Sequence, residues 1–118
     1  MNRKPCWWLG LRDKRTYRFL WQRITRGFCD AETWSLDYRI ADFVLPRLRR
    51  FQDIGCGYPS SLSEKRWKAT LAKMIRGFEA GRRLCDMAWE TQEEWQGLER
   101  DLRIGMKAFA RWYPHLWW

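Results

Sequence analysis

Four segments of this chain repeat apolar residues at helical spacing, and none alternates apolar and polar residues as a half-buried strand would. In the first, Tyr17, Leu20, Trp21, Ile24 and Phe28 fall on one stripe, and Gly27 supplies a helix stop. In the second, Trp34, Tyr38, Ala41, Leu45 and Leu48 share one side at about 100° per residue. Ile40, Val44 and Phe51 widen that stripe to nearly half the circumference, as expected of a central helix that meets two neighbours. Pro46 lies inside it and predicts a kink, because it lacks an N–H and crowds the carbonyl of Asp42. The third stripe is Trp67, Leu71, Met74, Ile75 and Phe78. The fourth is Trp95, Leu98, Leu102, Met106, Phe109 and Tyr113, ended by Pro114.

The connections carry matching signals. Asp30 or Thr33 can cap the second helix. Gly and Pro punctuate Gly55-Cys56-Gly57-Tyr58-Pro59-Ser60-Ser61 as a loop. Ser61 with Glu64 has capping-box spacing, Ser63 being the other candidate cap, and Thr91 with Glu94 repeats the pattern. Residues 81–90 form a junction of mixed signals. The prediction is an all-α fold: one domain over 1–118, a compact bundle of about four helices with a kinked central helix, preceded by a non-helical extension over 1–12.

Ten tryptophans and a net charge of +9, carried mostly by arginine, set the chemistry. Indole and guanidinium faces stack on planar rings, and guanidinium also grips phosphate in bidentate fashion. Trp21, Trp67 and Trp95 lie on the stripes and are expected in the core. Trp7, Trp8, Trp117 and Trp118 lie near the ends and predict an oligomer contact, most simply a homodimer. Cys6, Cys29, Cys56 and Cys85 are too widely spaced for a zinc site, and His115 is the lone histidine. No metal and no cofactor is expected. No apolar run approaches the ~20 residues of a membrane span, so no membrane partner is expected, and the chain reads as cytoplasmic. A lone histidine and the lack of a Gly-rich phosphate loop argue against an enzyme.

Asp37 stands out as a carboxylate inside the broad apolar arc, where an unpaired charge is very costly. It either bridges to an arginine, Arg23 among them, or contacts a ligand. Arg47 borders the same arc just past Pro46, and arginines beside an aromatic pocket suit phosphate. Trp34 is the indole placed to stack a base, and Tyr58 sits in the loop that follows.

The run Asp30-Ala31-Glu32-Thr33-Trp34-Ser35-Leu36-Asp37, then Leu45-Pro46-Arg47-Leu48, Gly57-Tyr58-Pro59 and Lys73-Met74-Ile75-Arg76-Gly77-Phe78-Glu79, resembles a family of small bacteriophage proteins. The likeness spans roughly residues 17–117, with Val44 where those proteins carry isoleucine. It implies a viral origin, and with it the host cytoplasm, but no established activity; by analogy, small phage proteins without catalytic motifs are often host-takeover or anti-defence factors. The expected function is non-enzymatic capture of a nucleotide-like anion, such as a bacterial immune signal, through Trp34, Asp37, Arg47, Tyr58 and Arg23. Two alternatives stand beside it: non-specific nucleic-acid binding, and inhibition of a host protein through the aromatic surface.

Overall fold

A computed structural model describes residues 14–55 and 57–117. The predicted extension over 1–12 lies outside the described residues, as do Trp7, Trp8, Trp118, Cys6 and Cys56. The described elements run α1 (Lys14–Arg26), a 3-10 helix (Asp30–Thr33), α2 (Leu36–Ile54), α3 (Glu64–Cys85), α4 (Gln92–Trp112) and a second 3-10 helix (Tyr113–His115). Among the described residues there is no strand, and the fold is all-α. The chain divides into two compact units, one through Arg39 and one from Ile40.

In the first unit, α1 stops where the sequence predicts. Gly27 takes φ +84°, and its N–H donates to the Arg23 carbonyl at 3.0 Å. A side chain at this φ is strained, which is why glycine ends the helix. The 3-10 helix is then tied to α1 by polar groups. Gln22 Nε2 donates to Asp30 Oδ2 at 2.7 Å, and the Asp30 amide donates to Gln22 Oε1 at 2.8 Å. Arg26 also pairs with Asp30, and Arg23 lies 3.1 Å from Glu32. The buried residues here are Cys29 and Thr16.

The start of α2 corrects two expectations. Ser35 has φ +54°, so the helix begins at Leu36 and Trp34 precedes it. Trp34 is 72% exposed rather than part of a buried stripe. Asp37 therefore sits in the first helical turn, exposed, where a carboxylate favours the helix dipole. Its Oδ1 accepts from the Tyr38 amide at 2.8 Å. It is not the buried charge that the apolar arc implied, and the carboxylate beside Arg23 is Glu32.

The second unit holds the hydrophobic core. Ala41, Leu45 and Leu48 of α2 cluster with Trp67, Leu71, Met74 and Phe78 of α3. The helix that buries more is α3, not α2: Trp67, Leu71, Met74, Gly77, Phe78 and Ala80 are all enclosed, against Ala41, Leu45 and Leu48 of α2. The reason lies in its neighbours. One side of α3 meets α2, tethered by Arg82–Asp42 at 3.1 Å and Arg49–Glu79 at 2.6 Å, and another meets α4. Of the arc predicted for α2, Ile40 and Trp34 stay exposed, so it is only partly used. Pro46 lies inside α2, as the sequence places it.

The α3–α4 contact turns on glycine. A Cβ built on Gly77 would lie 2.6 Å from the Gly105 Cα, and one on Gly105 would lie 2.5 Å from the Gly77 Cα. Backbone meets backbone there, and no other residue fits. Around this point Phe78 meets Phe109 edge-on at 5.2 Å, and Trp67 meets Trp112 at 6.0 Å. Such aromatic pairs add about 0.5–1.5 kcal/mol beyond their buried area.

Candidate functional site

The turn between α2 and α3 shapes a cleft. After Ile54 the chain uses Gly55 and Gly57 at φ +63° and +88° to reverse direction. Pro59 is buried, and its carbonyl accepts from the Leu62 amide at 3.0 Å. Ser63, the alternative cap in the sequence, caps α3 by accepting from the Arg66 amide at 3.2 Å. The cleft this leaves has a volume of about 150 Å³. Phe51, Tyr58, Trp67 and Leu71 form its apolar wall, and Gln52, Glu64 and Lys68 its polar rim.

Its chemistry follows from exposure and pairing. Trp67 is buried, so it serves as floor, whereas Tyr58 is 54% exposed and offers a ring face. Lys68 Nζ lies 3.3 Å from Glu64 Oε1, an exposed ion pair worth little. Gln52 Nε2 donates to the Lys68 carbonyl at 3.3 Å. Pockets that enclose a drug-sized ligand run from about 300 Å³ upward. This one takes a single planar ring and leaves the rest of any ligand in solvent.

Of the five residues singled out in the sequence, Tyr58 lines this cleft and the others lie elsewhere. Trp34, Asp37 and Arg23 belong to the first unit, and Arg47 and Tyr58 to the second. Arg47 is exposed on α2, where Nη1 donates to the Phe43 carbonyl at 2.8 Å and the guanidinium stacks 3.8 Å from the Phe43 ring centre. That cation–π contact and hydrogen bond support the helix next to Pro46.

The sequence reading missed a basic surface on α4. Arg100, Arg103 and Lys107 line a shallow open shelf, and Arg111 continues their i, i+3, i+7 spacing. All four are exposed. The carboxylate nearest to Arg103 is Glu99, 3.8 Å away. The helical spacing of Arg100, Arg103, Lys107 and Arg111 is the signal in the sequence that marks the ridge.

The perturbed carboxylates lie in the first unit. Arg26 holds the Asp30 carboxyl below its usual range, helped by the Gln22 hydrogen bond. Burial pushes Glu32 upward, but hydrogen bonds from Cys29 and the charges of Arg23 and Arg39 outweigh it, and its pKa falls. Both shifts mark carboxylates that hold the unit together. Among the described residues no group of three or more His, Cys, Asp or Glu side chains is placed to hold a metal ion. Comparison of the chain with protein-family models, curated proteins and solved structures returned no match.

Proposed function

We propose that this protein is a non-enzymatic binder that captures a nucleotide-like anion, with the base in the α2–α3 cleft and the phosphates in solvent. The observation that carries this reading is Tyr58, a half-exposed ring on an aromatic cleft of single-ring size. Stacking needs an accessible aromatic face, and the net charge of +9 draws anions towards the chain. Trp34, Asp37 and Arg23 belong to the first unit and form no part of the proposed site, which lies wholly in the second. Withholding an immune signal from the host is the biological role that the resemblance to phage proteins supports. Exposed Trp117 supports contact with a second copy.

The test is to purify the protein from cells with and without an active nucleotide-signalling defence, denature it, and identify released small molecules by mass spectrometry. An intact nucleotide from the signalling cells alone is expected, with about ten-fold less from Tyr58→Ala, the equivalent of ~1.4 kcal/mol. Empty protein refutes capture, and a degraded product requires an enzyme.

The α4 ridge favours a second reading, binding of a nucleic-acid backbone. Its signature is affinity that falls steeply with salt and is lost on Arg103→Gln with Lys107→Gln.

A further inference from the structure

The apolar stripe of α1 faces outward. Tyr17, Leu20, Trp21, Ile24 and Phe28 are 64%, 39%, 67%, 78% and 46% exposed, although their spacing predicts a buried face. The side that α1 does bury carries Thr16, with Phe19 and Gln22 half-buried. At ~100° per residue the stripe residues within α1, Tyr17, Leu20, Trp21 and Ile24, cover an arc of about 100°, and Phe28 follows just beyond the Gly27 stop. Arg18 stands about 60° beyond Trp21 on one edge, and Arg23 about 60° beyond Leu20 on the other. A compact apolar band is thus bordered by guanidinium on both sides. The helix contains no Asp or Glu. Asp30 and Glu32, which face it from the 3-10 helix, pair with Arg18, Arg26 and Arg23 and leave residues 14–34 net positive.

Charge decides the occupant. Packing two such stripes together would set the Arg18 and Arg23 edges of one copy against those of the other, like charge against like. An anionic lipid surface meets both parts of the face at once. Its headgroups are negative, and its boundary accepts tryptophan and tyrosine rings whose polar edges stay at headgroup level. Arginines flanking the band keep their stems on apolar surface while the charge reaches phosphate. The 13 residues of α1 are too few to span a bilayer, and among the described residues no helix is long and apolar enough to cross one. An in-plane helix needs no span.

We propose that α1 docks in the plane of an anionic lipid surface, burying Tyr17, Leu20, Trp21, Ile24 and Phe28, with Arg18 and Arg23 on headgroup phosphates. Such docking requires no membrane-spanning segment. It is independent of the nucleotide reading, because neither these apolar side chains nor Arg18 and Arg23 line the α2–α3 cleft.

The test is co-sedimentation of the full chain with vesicles of phosphatidylcholine, with and without phosphatidylglycerol, alongside sedimentation velocity of the protein alone. Binding to the anionic vesicles is expected, weakened about ten-fold or more when phosphatidylglycerol is omitted. Ile24→Ser should weaken it by several-fold through lost apolar burial, and Arg18→Gln by about five-fold. Arg103→Gln with Lys107→Gln on α4 should leave it unchanged, which separates α1 from the other basic surface. Circular dichroism of each variant controls for folding, and Arg18→Gln keeps the proposal testable if Ile24→Ser perturbs the helix. No binding to anionic vesicles overturns the proposal. So does binding that survives both α1 variants, and so does a dimer that Ile24→Ser dissolves in a protein that ignores vesicles.

Discussion

The two units use the same sequence pattern to opposite ends. In the second, the apolar stripes of α2 and α3 turn inward onto Trp67, Leu71, Met74 and Phe78. In the first, α1 has an equally regular stripe, yet it is exposed, and polar pairs around Asp30 and Glu32 tie the unit together. Helical periodicity reveals that a helix has an apolar face. It does not reveal what that face meets. Stability therefore belongs chiefly to the second unit, because burial of apolar area outweighs exposed polar pairs.

The largest effects should come from the α3 core and its crossing with α4. Phe78→Ala removes a side chain that is 2% exposed and should cost about 3–5 kcal/mol in urea denaturation. Gly105→Ala forces a Cβ against the Gly77 backbone and should cost about 1–3 kcal/mol or more. A tolerated Gly105→Ala would break the comparison, because the second unit would then lack the close packing assigned to it.

Glu32 sharpens the comparison from the other side. Its Oε2 accepts from the Cys29 amide at 2.7 Å, and Glu32→Ala should cost about 1 kcal/mol, felt in the first unit. Because folding depresses the pKa of Asp30 and Glu32, their contribution is full above the ordinary carboxylate range and is lost as pH falls through and below it. Below about pH 4 the first unit should loosen while the second persists, read by hydrogen exchange across an acid series. Simultaneous loosening of both would contradict the division.

The smallest effect is expected at Ile24. It is 78% exposed, so Ile24→Ser should change stability by no more than about 0.5 kcal/mol. A loss of several kcal/mol would show that the α1 stripe is buried after all.

Much of the fold was legible because its signals are local. Gly27 ends α1, Thr91 Oγ1 accepts from the Glu94 amide at 3.2 Å, and α4 gives way at Pro114. Even here the box is offset, since Glu94 Oε2 accepts from Glu90 rather than Thr91. Trp67, Leu71, Met74 and Phe78 are buried as their spacing predicts, whereas Trp21 is exposed. Other features depend on contacts between distant residues. Nothing near Gly77 reveals that Gly105 will meet it, and the positive φ of Ser35, which moved Trp34 and Asp37 out of the α2 arc, has no glycine or asparagine to announce it. In the cleft, Tyr58 was visible in its Gly-Tyr-Pro turn, but Gln52 and Lys68 join it only through the packing of α2 on α3.

Native-state hydrogen exchange of the full chain, resolved by peptide and without vesicles, tests the division between the units most directly. Exchange in α3 and its crossing with α4 should be slowest, near the limit of global unfolding, with α1 opening at far lower free energy. Amides of α1 as protected as those of α3 would contradict the account.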